Sequence, residues 1–212
     1  MSSTPATSSP LHFLGANPTA DLALFRIGAD GPETLLIVRS SSSPACPGLP
    51  AFPGGFVESS TGRGSEHRAA ETPEQAARRE LLEETGVEAG SCIEPLACGV
   101  WDAPWRDPRN GDGKFARSHL FCALAPASFG PDPQGLDDAE EGSTRWVPLS
   151  ELAGRVMAFD HGQMLSAACA RLGLPDPGAR SWSLERRWEQ LARKLESSAQ
   201  AQGSEPRGRL AP

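Results

Sequence analysis

Three carboxylates crowd into five residues near the middle of the chain, at Glu80, Glu83 and Glu84. On a helix these side chains share one face. Like charges at this spacing cost about 0.2–0.5 kcal/mol per pair when exposed, and roughly 3 kcal/mol at ~6 Å in a cleft of effective dielectric constant near 20. A divalent cation reverses the sign of that energy, and Mg²⁺ prefers oxygen ligands. The three carboxylates alone favour a solvated acidic helix, and a metal-binding face is the alternative that the surrounding residues must support.

The residues around these glutamates predict the helix that carries them. Thr72 suits the N-cap, Pro73 the first helical position, and Gln75 completes a capping box. Gly86 is typical of the residue that follows a helix. Arg79 can reach Glu83 one turn later and fix its orientation. The apolar stripe of this helix is expected to comprise Ala77, Leu81 and Leu82.

Other apolar runs predict the rest of the domain. Two short runs separated by Asp30-Gly31-Pro32 indicate a hairpin over 21–28 and 34–39. Further strands are expected at 92–101, 117–125 and 144–149, and helices near 149–155, 161–172 and 182–196. Residues 59–70 are expected to form an exposed loop. This order of elements is typical of an α/β or α+β sandwich.

Composition limits the functions that the chain can have. The 212 residues carry a net charge of −7, and 38% of them are hydrophobic. No apolar run approaches the ~20 residues of a membrane span, and clustered basic residues suited to nucleic acid are lacking. Residues 1–10 are expected to form a disordered tail without features of a secretory signal. A cytoplasmic protein with a small-molecule partner, without nucleic acid or membrane partners, follows as the expectation.

Cysteine usage indicates neither a disulfide framework nor a zinc site. The five cysteines are odd in number and include no Cys-x-x-Cys pair. Cys98 and Cys122 lie in apolar runs, which predicts that they are small buried hydrophobic side chains.

The acidic helix also has a specific spacing, Glu-x7-Arg-Glu-Leu-x-Glu-Glu-x-Gly-Val, over residues 71–87. With six fixed positions, chance over this length is on the order of 10⁻⁵. The pattern resembles the box of the Nudix hydrolases, Gly-x5-Glu-x7-Arg-Glu-U-x-Glu-Glu-x-Gly-U, where U is aliphatic. The resemblance runs from about residue 20 to 172. It implies an αβα sandwich with a mixed central sheet over 11–172, followed by a C-terminal helix and flexible tail over 173–212.

One part of the chain departs from the family pattern. The glycine of the box is expected at position 65, where this chain has Ser65, and the Pro-Gly-Gly-x-Val-Glu stretch lies earlier, at 53–58. We interpret the difference as a ten-residue insertion at about 59–70. Loops tolerate such lengthening because closure entropy grows only logarithmically with length. The insertion leaves the helical carboxylates in place but could reshape the approach of Gly54, Gly55 and the substrate to the metal.

The resemblance implies a role for each residue of the box. The family hydrolyses nucleoside diphosphates linked to another group, and it uses Mg²⁺ or Mn²⁺. The implied metal ligands are Glu80 and Glu84, then Glu83, and a backbone carbonyl of Gly54 or Gly55. Arg79 would orient the carboxylates, and Glu71 would either bind a second ion or stabilise the loop.

A general base is also needed, and two sources are open. In many members of the family it comes from an acidic loop outside the box. The corresponding stretch here is 136–149, which contains Asp137 and Asp138 and, as the preferred candidates, Glu140 and Glu141. Glu83 is the alternative within the box.

Two further stretches concern the substrate. Trp105 can stack on a base or ribose, and Arg106 and Arg109 suit phosphate or carboxylate groups; Phe56 joins them as a predicted substrate contact. The segments 105–113 and 158–165 resemble those of ADP-ribose pyrophosphatases. His161 is either a structural residue at a helix start or a neighbour of the active site.

The expected reaction is hydrolysis of ADP-ribose to AMP and ribose 5-phosphate. The alternatives are another substrate (an oxidised nucleotide, a dinucleoside polyphosphate or a coenzyme A derivative) or a non-catalytic regulator that senses ADP-ribose. The helix at 182–196 is expected to pack on the domain or on a second subunit, so a homodimer is among the expectations.

Overall fold

The computed structural model describes residues 11–90, 93–126, 129, 133–134 and 143–203. Its elements, in chain order, are β1 Gly15–Gly28, β2 Gly31–Val38, β3 Pro50–Ala51, β4 Gly54–Phe56, α1 Pro73–Thr85, β5 Leu96–Trp101, β6 Lys114–Leu124, β7 Arg145–Pro148, a 3-10 helix Leu149–Leu152, β8 Val156–Met157, α2 His161–Leu172, β9 Arg180–Ser181 and α3 Trp182–Gly203.

Seven of the strands form one mixed sheet. Its central order is β3-β2-β1-β6-β5, with β4 pairing to β1 and β7 to β2. β1 and β6 run parallel, in a register that extends from Gly15 opposite Lys114 to Phe25 opposite Leu124. The other pairs in this sheet are antiparallel. β1 is thus the strand against which most of the sheet is assembled.

A helix covers each face of this sheet. Successive side chains of a strand point to opposite faces. Leu22 of β1 packs in a cluster with Leu81 of α1, whereas Phe25 belongs to the other cluster, with Met164 and Leu165 of α2. The expected αβα sandwich with a mixed central sheet is therefore confirmed.

The predicted bounds of α1 are confirmed at both ends. The Thr72 hydroxyl accepts a hydrogen bond from the Gln75 backbone N–H (3.2 Å), and the Gln75 side chain accepts one from the Thr72 N–H (2.8 Å). Gly86 has φ 68° and donates its N–H to the Leu82 carbonyl. This left-handed conformation is one that glycine adopts without steric cost.

The predicted apolar stripe of α1 is wrong at one position. Leu82 is 47% exposed, while Ala77 and Leu81 are fully buried. Thr85 is also buried, four residues after Leu81, and its hydroxyl donates to the Leu81 carbonyl. Leu82 is rotated about 100° from Leu81 around the helix and therefore points away from the sheet.

Most other predicted elements are present with shifted ends. The strand expected at 92–101 begins at Leu96, and the helix expected at 149–155 is a single 3-10 turn, Leu149–Leu152. Helix α2 has the predicted bounds, and α3 extends to Gly203. Cys122 is buried, whereas Cys98 is only partly buried. No helix within the described ranges is long and apolar enough to cross a membrane.

Replacing Thr72 with Ala should lower the free energy of unfolding by about 1 kcal/mol, because the Gln75 N–H loses its acceptor. Urea denaturation of the purified protein measures this difference. Thr72→Ser is the matched control and should keep nearly all of the stability, since serine caps a helix as well as threonine does. Equal losses in both variants would contradict a capping role.

Candidate active site

Arg79 holds together three of the carboxylates singled out by their spacing. Its guanidinium contacts Glu71 at 2.7 Å, Glu80 at 2.8 Å and Glu83 at 2.8 Å. It also donates to the Phe56 carbonyl at 3.0 Å. The hydrogen bond to Glu71, followed by those to Glu80 and Glu83, raises the pKa of Arg79. One cation thereby offsets part of the repulsion on this helix face and ties α1 to the end of β4.

Glu71 lies at the end of the insertion rather than on the helix. Its carboxylate accepts hydrogen bonds from Arg79 and from the Glu58 backbone N–H (2.8 Å). Burial would raise the pKa of Glu71, but these hydrogen bonds outweigh it and lower the pKa. These contacts favour the loop-stabilising role over a second ion, although its role in metal binding stays a prediction.

The glycine loop, residues 53–55, contacts the carboxylates directly. Glu84 is 2% exposed, and its carboxylate accepts a hydrogen bond from the Gly54 N–H at 2.9 Å. A Cβ atom on Gly55 would overlap the Glu80 carboxylate, and one on Gly54 would meet the Ala20 carbonyl and the Asp21 side chain. Glycine at position 54 therefore permits the close approach of this loop to the backbone of β1, whereas at position 55 the nearest atoms are those of the Glu80 side chain on α1.

The donor set suits a hard divalent cation in kind, because it consists of carboxylate and carbonyl oxygens. The described residues nevertheless contain no group of three or more acidic, histidine or cysteine side chains already arranged to hold a metal ion. Arg79 and the Gly54 N–H occupy oxygens of the candidate ligands instead. Glu80, Glu83 and Glu84 fit the ion as ligands if the Arg79 contacts are shared or released when it binds.

A cleft opens beside the glycine loop. Its empty volume, which includes space open to solvent, is about 560 Å³. It brings together Phe56, Arg106 and Arg109 from the predicted substrate contacts. The other lining residues are Thr19, Asp21, Arg39, Phe52, Gly54, Gly55, Asp107, Phe159 and His161.

The two predicted arginines in the cleft already have carboxylate partners. Arg106 is buried and makes two hydrogen bonds to Asp160, at 2.9 and 3.0 Å. Arg109 pairs with Asp107 at 2.7 Å, and its guanidinium lies 5.4 Å from the Phe56 ring centroid. Arg106 is thus placed to stiffen the cleft wall, while Arg109 can also contact a ligand beside Phe56.

Trp105 lies outside the lining of the cleft. Its side chain is 42% exposed, and the guanidinium of Arg187 on α3 sits 3.5 Å from its ring centroid. The structure therefore gives Trp105 a contact with the C-terminal helix, and its assignment to substrate binding stays a prediction. Glu140 and Glu141, like Asp137 and Asp138, lie outside the described residues.

Asp21, a buried carboxyl group that the sequence analysis missed, packs against Gly54 of the glycine loop. Asp21 of β1 accepts a hydrogen bond from the Ser118 hydroxyl of β6. Its other carboxylate oxygen lies 3.6 Å from Nε2 of His161. Burial raises the pKa of Asp21 to about 6. The available signal was a charged residue inside the apolar run 21–28.

His161, at the start of α2, has a structural contact and also lines the cleft. Its Nδ1 accepts the Phe52 backbone N–H at 3.0 Å, so the ring proton is assigned to Nε2, toward Asp21. Burial, then Arg106 and Arg39, lower the pKa of His161 well below its usual value. A neutral imidazole thus bridges β1 and the residues just before the glycine loop, and both roles left open for His161 have a structural basis.

The sandwich, the arginine-bound glutamates on α1 and the glycine loop together define a Nudix domain. The model of the NUDIX domain family matches residues 18–167, and the chain belongs to this family.

Particular relatives share this domain. The chain is 30% identical over 154 residues to the ADPR responsive transcriptional repressor NtrR of Acinetobacter baylyi, a match covering 73% of this chain and 53% of that protein. The chain therefore spans about half the length of this curated relative.

Several solved structures are similar in fold to this chain. The NUDIX domain of Shewanella oneidensis NrtR, complexed with ADP ribose, has a TM-score of 0.60 at 25% identity, covering 74% of this chain and 89% of that one. NrtR complexed with a 27mer DNA has a TM-score of 0.50 at 27% identity, covering 73% and 61%. A bifunctional NMN adenylyltransferase/ADP ribose pyrophosphatase of Francisella tularensis, complexed with AMP and a Mn ion, has a TM-score of 0.53 at 25% identity, covering 75% and 42%.

Asp21→Asn should raise the free energy of unfolding at pH 8, because an amide does not pay the cost of burying a charge. The carboxyl's pKa is about 6 in the folded protein against an ordinary 3.8, which corresponds to a gain of up to about 3 kcal/mol. The folded state binds this proton more tightly than the unfolded state, so wild-type stability falls as pH rises from about 4 to about 6. Chemical denaturation at pH 4 and pH 8 tests this, since the gain should disappear at pH 4.

The two loop glycines should respond differently to alanine. Gly54→Ala places Cβ against the backbone carbonyl of Ala20, and the variant should lose about 2 kcal/mol or more of stability. Gly55→Ala meets only the end of the Glu80 side chain, which can rotate away. Its loss in a thermal unfolding experiment should therefore be the smaller one, and the reverse order would contradict the packing described for this loop.

Proposed function

We propose that this chain is a metal-dependent hydrolase that cleaves the pyrophosphate of ADP-ribose, giving AMP and ribose 5-phosphate. The observation that carries the proposal is the contact between the Glu80 carboxylate and Gly55, beside a cleft lined by Arg109 and Phe56. The names of two relatives support the substrate, since one solved structure holds ADP ribose and another belongs to an ADP ribose pyrophosphatase.

The side chains around the cleft have distinct tasks in this reaction. Glu80 and Glu84, with Glu83 and a carbonyl of Gly54 or Gly55, would hold Mg²⁺ or Mn²⁺. The ion supplies neutralisation of charge on the phosphate oxygens when bound. Arg79 keeps the carboxylates oriented through the hydrogen bonds it makes to them.

The substrate would bind to the part of the cleft formed by Arg109, Phe56 and Phe159. Arg109 lies against the Phe56 ring and close to Phe159, where a planar base or ribose can stack and a phosphate can accept hydrogen bonds. Arg106 acts indirectly, because its pairing with Asp160 fixes the wall behind Arg109.

The proton acceptor for the attacking water remains a choice between two places. Glu83 is 46% exposed at its side chain and bonded to Arg79, so it stands within the site but is partly neutralised. Glu140 and Glu141 are the proposed alternatives from the acidic loop.

A regulator that senses ADP-ribose is the second candidate. The observation that favours it is the similarity to a protein named a transcriptional repressor and to a structure containing a 27mer DNA. The expectation of no nucleic-acid partner therefore loses its support. The cytoplasmic location, the homodimer and the division into a domain over 11–172 and a C-terminal extension remain predictions.

Product analysis of the purified protein tests the two candidates. With Mg²⁺ or Mn²⁺, wild type should release AMP and ribose 5-phosphate from ADP-ribose faster than from other nucleoside diphosphate derivatives. Glu80→Gln should reduce kcat by roughly 100-fold or more, while Glu74→Gln, in the first turn of the same helix, should leave it unchanged. ADP-ribose binding without turnover of any nucleotide in the panel would overturn the hydrolase proposal and favour the regulator.

A further inference from the structure

The insertion at 59–70 is fastened to the start of the described chain. Its base is closed by pairing of Ser59 with Ala69 and by the Ala70 N–H donating to the Glu58 carbonyl at 2.9 Å. At its tip, the Gly64 N–H donates to the His12 carbonyl at 2.8 Å. The segment is exposed, as expected, and we call it the arm because its backbone also pairs with the residues just before β1.

Further contacts hold the arm and these residues together. The Leu14 N–H donates to the Ser65 carbonyl at 3.0 Å. The His67 ring packs edge-on against Phe13, with centroids 4.9 Å apart, and its Nε2 lies 3.0 Å from the Val57 carbonyl. Backbone and ring contacts thus set the position of His12 relative to the glycine loop.

His12 is placed against a residue of the cleft. Its ring centroid lies 5.5 Å from that of Phe56, which lines the cleft and also contacts the guanidinium of Arg109. Glu80, by contrast, touches the backbone at Gly55. A ligand that extends from the carboxylates past the Phe56 ring therefore reaches His12.

Cationic groups gather around this histidine. Arg63 directly precedes Gly64, whose N–H donates to the His12 carbonyl, and Lys114 donates a hydrogen bond to the Leu11 carbonyl at 3.1 Å. Arg109 lies over Phe56, the ring that His12 contacts. Burial lowers the pKa of His12, and the positive charges of Arg63, Arg109 and Lys114 lower it further. Arg109 is paired with Asp107. Neither Arg63 nor Lys114 forms an ion pair within the part of the chain that the structure describes.

This concentration of positive charge, in which Arg63 and Lys114 have no ion pair among the described residues, has a cost in the free protein because like charges repel. It occurs in a chain of net charge −7 and beside a cleft suited to a nucleotide. An anionic ligand at this place would remove the repulsion and gain attraction to each cation.

We infer that the insertion supplies a second substrate-binding wall, formed by Arg63 and His12, for an anionic part of a nucleoside diphosphate derivative that extends past Phe56. The inference rests on the proposed function for the identity of the substrate. These residues bind the substrate and take no part in bond cleavage, so they should set KM rather than kcat.

Charge removal at the tip of the arm tests this wall. Arg63→Ala should raise the Kd for ADP-ribose, measured by calorimetry without divalent metal, by about fivefold or more, and raise KM similarly with kcat unchanged. Arg63→Lys should retain most of the affinity. Arg68→Ala removes the same charge from the same insertion at a residue not among the cations near His12, and it should change Kd less than twofold.

Inorganic pyrophosphate serves as a second anionic probe in the same titrations, which separates this inference from the proposed function. If Arg63→Ala weakens pyrophosphate binding and the protein hydrolyses no nucleotide, the second binding wall is supported and the proposed hydrolase activity is refuted. Equal affinities of wild type and Arg63→Ala for both probes, or no binding of either probe by wild type, would overturn the wall. Unfolding temperatures of the variants within about 2 °C of wild type show that the comparison concerns binding alone.

Discussion

The ion pairs of one arginine are what allow the acidic face of α1 to exist in a folded cleft. Without a counter-charge, Glu80 and Glu83 beside Glu71 would each cost a few kcal/mol in a partly buried setting. Arg79 contacts all of them within 2.8 Å and also reaches the Phe56 carbonyl. The same side chain therefore offsets part of the charge of the carboxylates and joins three parts of the chain: the end of the insertion, the helix, and the strand that contains the glycines.

A second constraint acts from the opposite side of the glycine loop. Gly54 is enclosed between the Glu84 carboxylate and β1, where Asp21 is buried beside His161. The raised pKa of Asp21 shows that this arrangement opposes ionisation of a carboxyl group at neutral pH. Polar groups that cost stability are usually retained where they fix the geometry of a site. The loop thus lies between two carboxylates, Glu84 on the helix and Asp21 on the sheet.

Features set by residues close together in the sequence could be predicted, whereas features set by residues far apart in the sequence could not. The caps of α1, at Thr72 and Gly86, depend on neighbours within a turn and were predicted correctly. The position of Leu82 failed because a stripe of two adjacent leucines leaves the helix face ambiguous until the sheet is known. The contact of Asp21 with His161 joins the first strand to α2 through the parallel pairing of β1 with β6, and no local pattern encodes such a pairing. The predicted role of Trp105 in substrate binding rests on the chemistry of its side chain. Its contact with Arg187 could not be predicted, because α3 lies far from Trp105 in the sequence.

The charge distribution of the cleft bears on whether the domain cleaves its ligand or only senses it. A site that merely bound a diphosphate would be weakened by carboxylates next to the phosphates, because anion repels anion. The cations near Arg109 attract a phosphate group, whereas Glu80, Glu83 and Glu84 repel it. Arg79 relieves that conflict among the carboxylates themselves, yet it leaves the group with a net negative charge, since it pairs with three of them. Glu80, Glu83 and Glu84 would hold a divalent ion under the proposed function, and that ion would supply the positive charge that offsets the remaining repulsion. The acidic face therefore supports the proposed metal-dependent hydrolase over the second candidate, a sensor.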